Sequence, residues 1–159
     1  MVSATFTSLI ITKFESVLDV SIVLSAAIPM LMDTGGNCGG QASVTIIRSL
    51  SLEDVEFKDI FRVIWKEFRV SLLCGASLAI VNFVKMLILH QGTIVIIAVI
   101  SLALFCAVIV AKFIGCVLPM LANKIGFDPA VMSSPFITTI VDALTLLLYV
   151  NLAIAILHI

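Results

Sequence analysis

Charge is what this sequence has least of. Asp, Glu, Lys and Arg make up 12% of its 159 residues and apolar side chains 62%, where an ordinary soluble domain carries about 25% charge. A water-soluble fold with a conventional surface is excluded. The few charges are balanced, 9 basic against 10 acidic, so no basic excess argues for a nucleic-acid partner. The opening MVSATFTSLII reaches its first charge only at Lys13 and lacks the basic start of a signal peptide. Cysteine is scarce too. Cys38, Cys74, Cys106 and Cys116 show no CxxC spacing, which argues against a zinc site or a disulfide framework and leaves four small hydrophobes. HExxH, GxSxG and P-loop patterns are absent, so metalloprotease, serine-hydrolase and ATP-driven chemistry find no support.

What the chain has instead is apolar length. Met86 to Ala111 is a run of 26 residues without Asp, Glu, Lys or Arg, longer than the roughly 20 a transmembrane helix needs. Charges cut the sequence into five apolar blocks. These run from about Ser3 to Val17, Val20 to Ile47, Val70 to Leu89, Thr93 to Leu121, and Pro135 to Leu157. The expectation is an all-α, polytopic integral membrane protein, one domain over residues 1–159, with five transmembrane helices. The first is so brief that the sequence reads as beginning within that span.

Orientation follows from Lys and Arg, which gather on the cytoplasmic side. Arg48, Lys58, Arg62, Lys66 and Arg69 lie between the second and third blocks, and Lys112 and Lys124 close the fourth. The turns near Asp19 and at His90 to Gly92 have almost none. The N-terminus is therefore expected inside a cell membrane and the C-terminus outside it. The Leu52 to Phe68 linker reads as an interfacial helix of its own: Phe57, Ile60, Phe61, Ile64 and Phe68 recur at helical spacing, and Ser51 with Asp54 resembles a capping box. Its mixed charges suit a solvated face.

An ionisable group deep in a membrane helix costs about 2.5–3.5 kcal/mol to insert, so it marks function by default. Two carboxylates qualify. Asp142 has 13 uncharged residues before it and 17 after it. Thr138, Thr139, Thr145 and Tyr149 share its helical face, with Pro135 at the start of that stripe. In the second block Asp33, Asn37, Gln41 and Thr45 follow at i+4 and line one side. Between them Gly35, Gly36, Gly39 and Gly40 form overlapping GxxxG pairs, which either bring helices close or break the helix; Pro29 and Pro119 are expected to kink theirs. Carboxylate, amide and hydroxyl oxygens suit hard cations, magnesium, calcium or manganese, and so few carboxylates suit an ion that keeps its water, as magnesium does. No relay of buried acids or His residues accompanies them, as a proton-coupled carrier would require. An alternative stays open. Asp33, Thr34 and Gly35 spell the aspartic-protease triplet, so an intramembrane aspartyl hydrolase using Asp33 and Asp142 is weighed beside transport, as is a non-transporting structural helix bundle.

The segment PMLMDTGGNCGGQ (Pro29 to Gln41) resembles the second-helix signature of the MgtE-type magnesium transporter family. DVEFKDIFRVIWKE, AKFIGCVLP and GFDPAVMSSPFITTIVDALTLL are similar to the same family's transmembrane domain. The resemblance implies a homodimer in the lipid bilayer, with five membrane helices per subunit and an ion path on the two-fold axis lined by the second and fifth. It also implies passive, channel-like movement of Mg2+. By it Asp142 corresponds to the fifth-helix pore aspartate, and Asp33, Gly35, Gly36, Asn37, Gly39 and Gln41 to the second-helix signature. The Thr138 carbonyl, one turn before Asp142, is expected to face the ion's water shell. Two departures stand out. Cys38 and Gly40 replace the Ala and Ser common in the family's signature, and the family's N-terminal regulatory and CBS domains are absent from the sequence, so closure by cytoplasmic magnesium is not expected.

Overall fold

In the computed structural model the described backbone covers residues 2–14, 21–132 and 134–158. Among the described residues the fold is all-helical, with five α-helices: α1 (Val2–Lys13), α2 (Ile22–Ser51), α3 (Ile60–Ile88), α4 (Ile94–Lys124) and α5 (Ser134–Leu157). Three of them are long and apolar enough to cross a membrane, namely α3 with the turn before it, α4, and α5 from Pro135. The expected limits Val17 and Val20, and the turn at Asp19, lie outside the described residues.

Local chemistry caps two helix starts and three helix ends. The Ser21 hydroxyl accepts from Val23 N at 3.3 Å to cap α2, and Thr93 does the same from Ile96 N at 3.5 Å for α4, each satisfying a backbone N–H that has no partner within the helix. Three helices end alike. The amides of Asp54, Gln91 and Phe127 reach back five residues, to Ser49, Met86 and Ala122, at 3.0 Å in each case. The preceding residue in each is left-handed: Glu53 at φ 58°, His90 at 51° and Gly126 at 81°. Pro29 and Pro119 lie within continuous helices.

The linker corrects one expectation. There is no separate interfacial helix: after a short 3₁₀ turn (Phe57–Asp59) α3 runs unbroken from Ile60 to Ile88. Nothing between Phe68 and Val70 breaks a helix, and Arg69 alone is not a stop signal, because its long stem lets the charge reach polar surroundings. The capping interaction is also displaced. Glu56 N donates to Asp59 Oδ2 at 3.1 Å, whereas the Ser51 hydroxyl donates to Ile47 O inside α2.

α4 is the central helix, packed against α2, α3 and α5, while α1 lies on α5. Its small and branched residues, including Ile97, Ile100, Ala103, Ala107, Val108 and Ala111, are fully buried. α3 buries one stripe, Val63, Ser71, Gly75, Asn82 and Met86, and presents many large apolar side chains outward, among them Phe61, Trp65, Leu73, Ile80, Val81 and Ile88. Such an exterior suits hydrocarbon rather than water. One charge pair sits within this packing. Lys112 on α4 and Glu67 on α3 meet at 3.1 Å, with only 14% and 12% of their side chains exposed.

Candidate cation site

Two helices carry the candidate residues. On α2 the side chains of Asp33, Asn37, Gln41 and Thr45 are all exposed, while Gly35, Gly36, Gly39 and Gly40 are buried on the neighbouring faces. The glycines pack; they do not break the helix. A Cβ on Gly35 would meet Thr145 Oγ1 at 2.8 Å, and one on Gly39 would meet Val141 Cγ2 at 2.9 Å and the Ala111 carbonyl at 3.1 Å. Between them Gly36 faces the site itself: a Cβ there would come 3.2 Å from Asp142 Oδ1 and 3.3 Å from Thr138 Cγ2. The bare backbone of α2 is thus the surface against which the α5 carboxylate rests. Gly36 lies three residues after Asp33 and one before Asn37, so the half-buried Asp142 sits at the edge of the α2 polar stripe.

The hydroxyls around it are oriented. Thr138 and Thr139 each donate to the Pro135 carbonyl, at 3.1 and 2.9 Å, and Thr45 donates to the Gln41 carbonyl at 2.9 Å. With their protons engaged along their own helices, these oxygens present lone pairs outward. Two carboxylates and hydroxyl oxygens on these two helices can accept hydrogen bonds from a hydrated cation and offer an anion little. Among the described residues no three His, Cys, Asp or Glu side chains gather to hold a metal. No hydrogen bond joins Asp33 to Asp142 among the described residues.

The structure divides the expected lining. Asp33, Asn37, Gln41, Pro135, Thr138, Thr139 and Asp142 lie at or beside the open face, but Thr145 and Tyr149 do not. Tyr149 is fully buried and its hydroxyl donates to the Leu24 carbonyl at 2.9 Å. Thr145 is buried against Gly35. Both share the helical face of Asp142, yet α2 runs antiparallel across that face from Gly39 to Leu24 and covers it. Gly40 and Val44, which the sequence did not place in the lining, border a shallow cleft with Asn37, Gln41 and Thr45. Their i+3 and i+7 relation to Asn37 was the available signal. The four cysteines are free thiols.

A profile of the MgtE family, described as a divalent cation transporter, matches residues 28–152. The chain is 37% identical over 147 residues, 92% of its length, to the magnesium transporter MgtE of Thermus thermophilus. It is 36% identical over 149 residues, 94% of its length, to the protein of that name from Bacillus subtilis. With the one from Enterococcus faecalis it shares 34% over 147 residues. The chain spans about a third of the length of these curated relatives, 32%, 33% and 32%. An all-helical, lipid-suited fold, a polar stripe on α2 with Asp142 of α5 at its edge, and this match over most of the chain lead to one assignment: the chain belongs to the MgtE family of divalent cation transporters.

Proposed function

We propose that this chain is the membrane-embedded conducting part of a magnesium transporter, working as a homodimer with α2 and α5 of both copies lining a passive path on the two-fold axis. The observation that carries this reading is the stripe Asp33, Asn37, Gln41 and Thr45 standing exposed on α2 with Asp142 seated at its edge over Gly36. In a bilayer such a stripe must meet water or a second protein surface, since polar groups facing lipid are costly. Pairing two copies through this face supplies both.

In that dimer the two Asp142 side chains approach across the axis and set up to two negative charges at one level of the path. That field favours a divalent over a monovalent cation. Mg2+ gives up water reluctantly, so the ion keeps its shell. Asp142, Thr138 and the carbonyl one turn before Asp142 hold the shell's water protons, and Asp33 and Asn37 extend the acceptor surface along α2. An inside-negative potential of 100 mV contributes about 2 × 2.3, or about 4.6 kcal/mol, for each divalent ion entering, so uptake needs no other energy source. The clustering of Lys and Arg supports the cytoplasmic placement of the α2–α3 and α4–α5 linkers, with the N-terminus inside and the C-terminus outside. The hydrolase alternative has nothing behind it, because the family is one of transporters and the two carboxylates are not paired.

The test is magnesium flux into liposomes containing this chain, comparing wild type with Asp142→Ala at equal incorporation. Loss of flux in the variant, with its size-exclusion profile unchanged, is the expected result. Equal flux would remove Asp142 from the path.

A further inference from the structure

Thr145 is bonded unlike the other threonines beside the candidate site. Thr138 and Thr139 donate to the Pro135 carbonyl and Thr45 to that of Gln41. Thr145 is only 1% exposed, yet its Oγ1 has no hydrogen-bond partner. A buried hydroxyl left unbonded costs stability, which a Val of the same shape would avoid. What the oxygen meets instead is the bare backbone of α2: a Cβ on Gly35 would stand 2.8 Å from it.

That contact adjoins the carboxylate. Gly36, the next residue on α2, faces Asp142 Oδ1, and Thr145 follows Asp142 by three residues, about 4.5 Å along α5. On its other side α2 has no room to retreat, because a Cβ on Gly115 of α4 would run into the Gly39 carbonyl oxygen. A methyl at Gly35 falls 0.6 Å short of the 3.4 Å at which ordinary contact begins. Since α4 blocks α2, the helix that yields to such a methyl is α5, and Asp142 moves with it.

We propose that Thr145 is a positioning residue: pressed against Gly35, it sets the gap between α2 and α5 at Asp142 and so lets the path discriminate divalent cations by size. The inference rests on the proposed path along these two helices. Mg2+ holds its oxygen ligands at about 2.0–2.1 Å and Ca2+ at about 2.3–2.6 Å, a difference of the same few tenths of an ångström that this contact governs. A close gap matches the acceptors on Asp142, Asp33 and Asn37 to the smaller hydrated ion, and a wider gap admits the larger one. An oxygen at position 145 keeps the helices closer than the bulkier methyl of Val would.

Influx of Mg2+ and of Ca2+ into liposomes containing the full chain gives the selectivity ratio. The same ratio is read a second way, from competition of Mg2+ and Ca2+ for Mn2+ bound to the detergent-purified chain, by electron paramagnetic resonance. Wild type and Thr145→Ser are expected to favour Mg2+ to the same degree. Gly35→Ala lowers the ratio at least fivefold, and Thr145→Val two- to threefold. Gly35→Ala combined with Thr145→Ala restores it to within twofold of wild type, because the added methyl then meets the remaining Cβ of Thr145 at 3.8 Å, an ordinary contact. Gly75→Ala, tight against Phe105 at 3.1 Å between α3 and α4, lowers the thermal midpoint but leaves the ratio unchanged. If Gly35→Ala does not fold, Thr145→Val against Thr145→Ser decides. An unchanged ratio in Gly35→Ala, as rotation of the Thr145 side chain away from α2 would give, overturns the proposal. So does a wild type that passes both ions alike, or a ratio lowered as far by Gly75→Ala. Asp142→Ala separates the two readings: wild-type flux there displaces the path itself, whereas lost flux there with an unchanged ratio in Gly35→Ala removes only the role of Thr145.

Discussion

A methyl group at Gly36 would sit 3.2 Å from Asp142 Oδ1 and 3.3 Å from Thr138 Cγ2, and side chains can yield by the few tenths of an ångström this requires. Gly36→Ala is therefore expected to fold but to push the carboxylate off the α2 surface, lowering magnesium flux severalfold with little change in thermal midpoint. Flux and thermal unfolding on one preparation check both halves. Gly115 is different, because its Cβ would run into the Gly39 carbonyl oxygen, which is backbone, and meet Ala42 Cβ at 3.0 Å. Only a shift of α2 against α4 relieves that. Gly115→Ala should cost about 1–3 kcal/mol of stability, read as a lowered midpoint in detergent. One residue type at similar spacing thus serves two ends, a seat for a carboxylate and a crossing of two backbones.

Between helices the informative contact is Glu67 with Lys112, an ion pair almost enclosed by α3 and α4. Removing one partner leaves a charge in an apolar surround, which costs about 3–5 kcal/mol, whereas replacing both with apolar residues of similar volume is often near neutral. Lys112→Met alone should accordingly destabilise far more than Lys112→Met combined with Glu67→Met, and a double-mutant cycle on thermal unfolding measures the difference. At the end of α2 the left-handed residue is Glu53, whose Cβ makes that conformation unfavourable, while the equivalent position after α4 is Gly126. Glu53→Gly removes that strain at some entropic cost in the unfolded chain and should gain about 0.5–1 kcal/mol. An unchanged or lowered midpoint would count against this account.

Among the described residues the polar stripe of α2, Asp33, Asn37, Gln41 and Thr45, is an exposed surface that disagrees with a lipid surround. Pairing two copies through it predicts proximity that cysteine chemistry can read. In a background with the four native cysteines replaced by alanine, Gln41→Cys should form an intermolecular disulfide in membranes. Val81→Cys, on the exposed apolar face of α3, should not. Disulfides need Cα atoms about 4.4–6.8 Å apart, so a monomer band from Gln41→Cys under oxidation would speak against a path lined by α2 of both copies.

The linear sequence by itself determined the helical class and the apolar blocks and marked Asp142 and the Asp33 stripe as candidates, because hydropathy and the cost of a buried charge are properties of short segments. It also carried the family signature, written in contiguous motifs. Tertiary structure decided what depends on which helix lies across another. Tyr149 and Thr145 share a face with Asp142, yet α2 covers them and leaves Asp142 at an open edge. The glycines were ambiguous between breaking and packing until α5 was found against them. α3 begins at Ile60 rather than Val70 because charge marks an end of hydrophobicity, not an end of hydrogen bonding. The Glu67–Lys112 pair spans 45 residues, and no periodicity within either helix encodes a partner on the other.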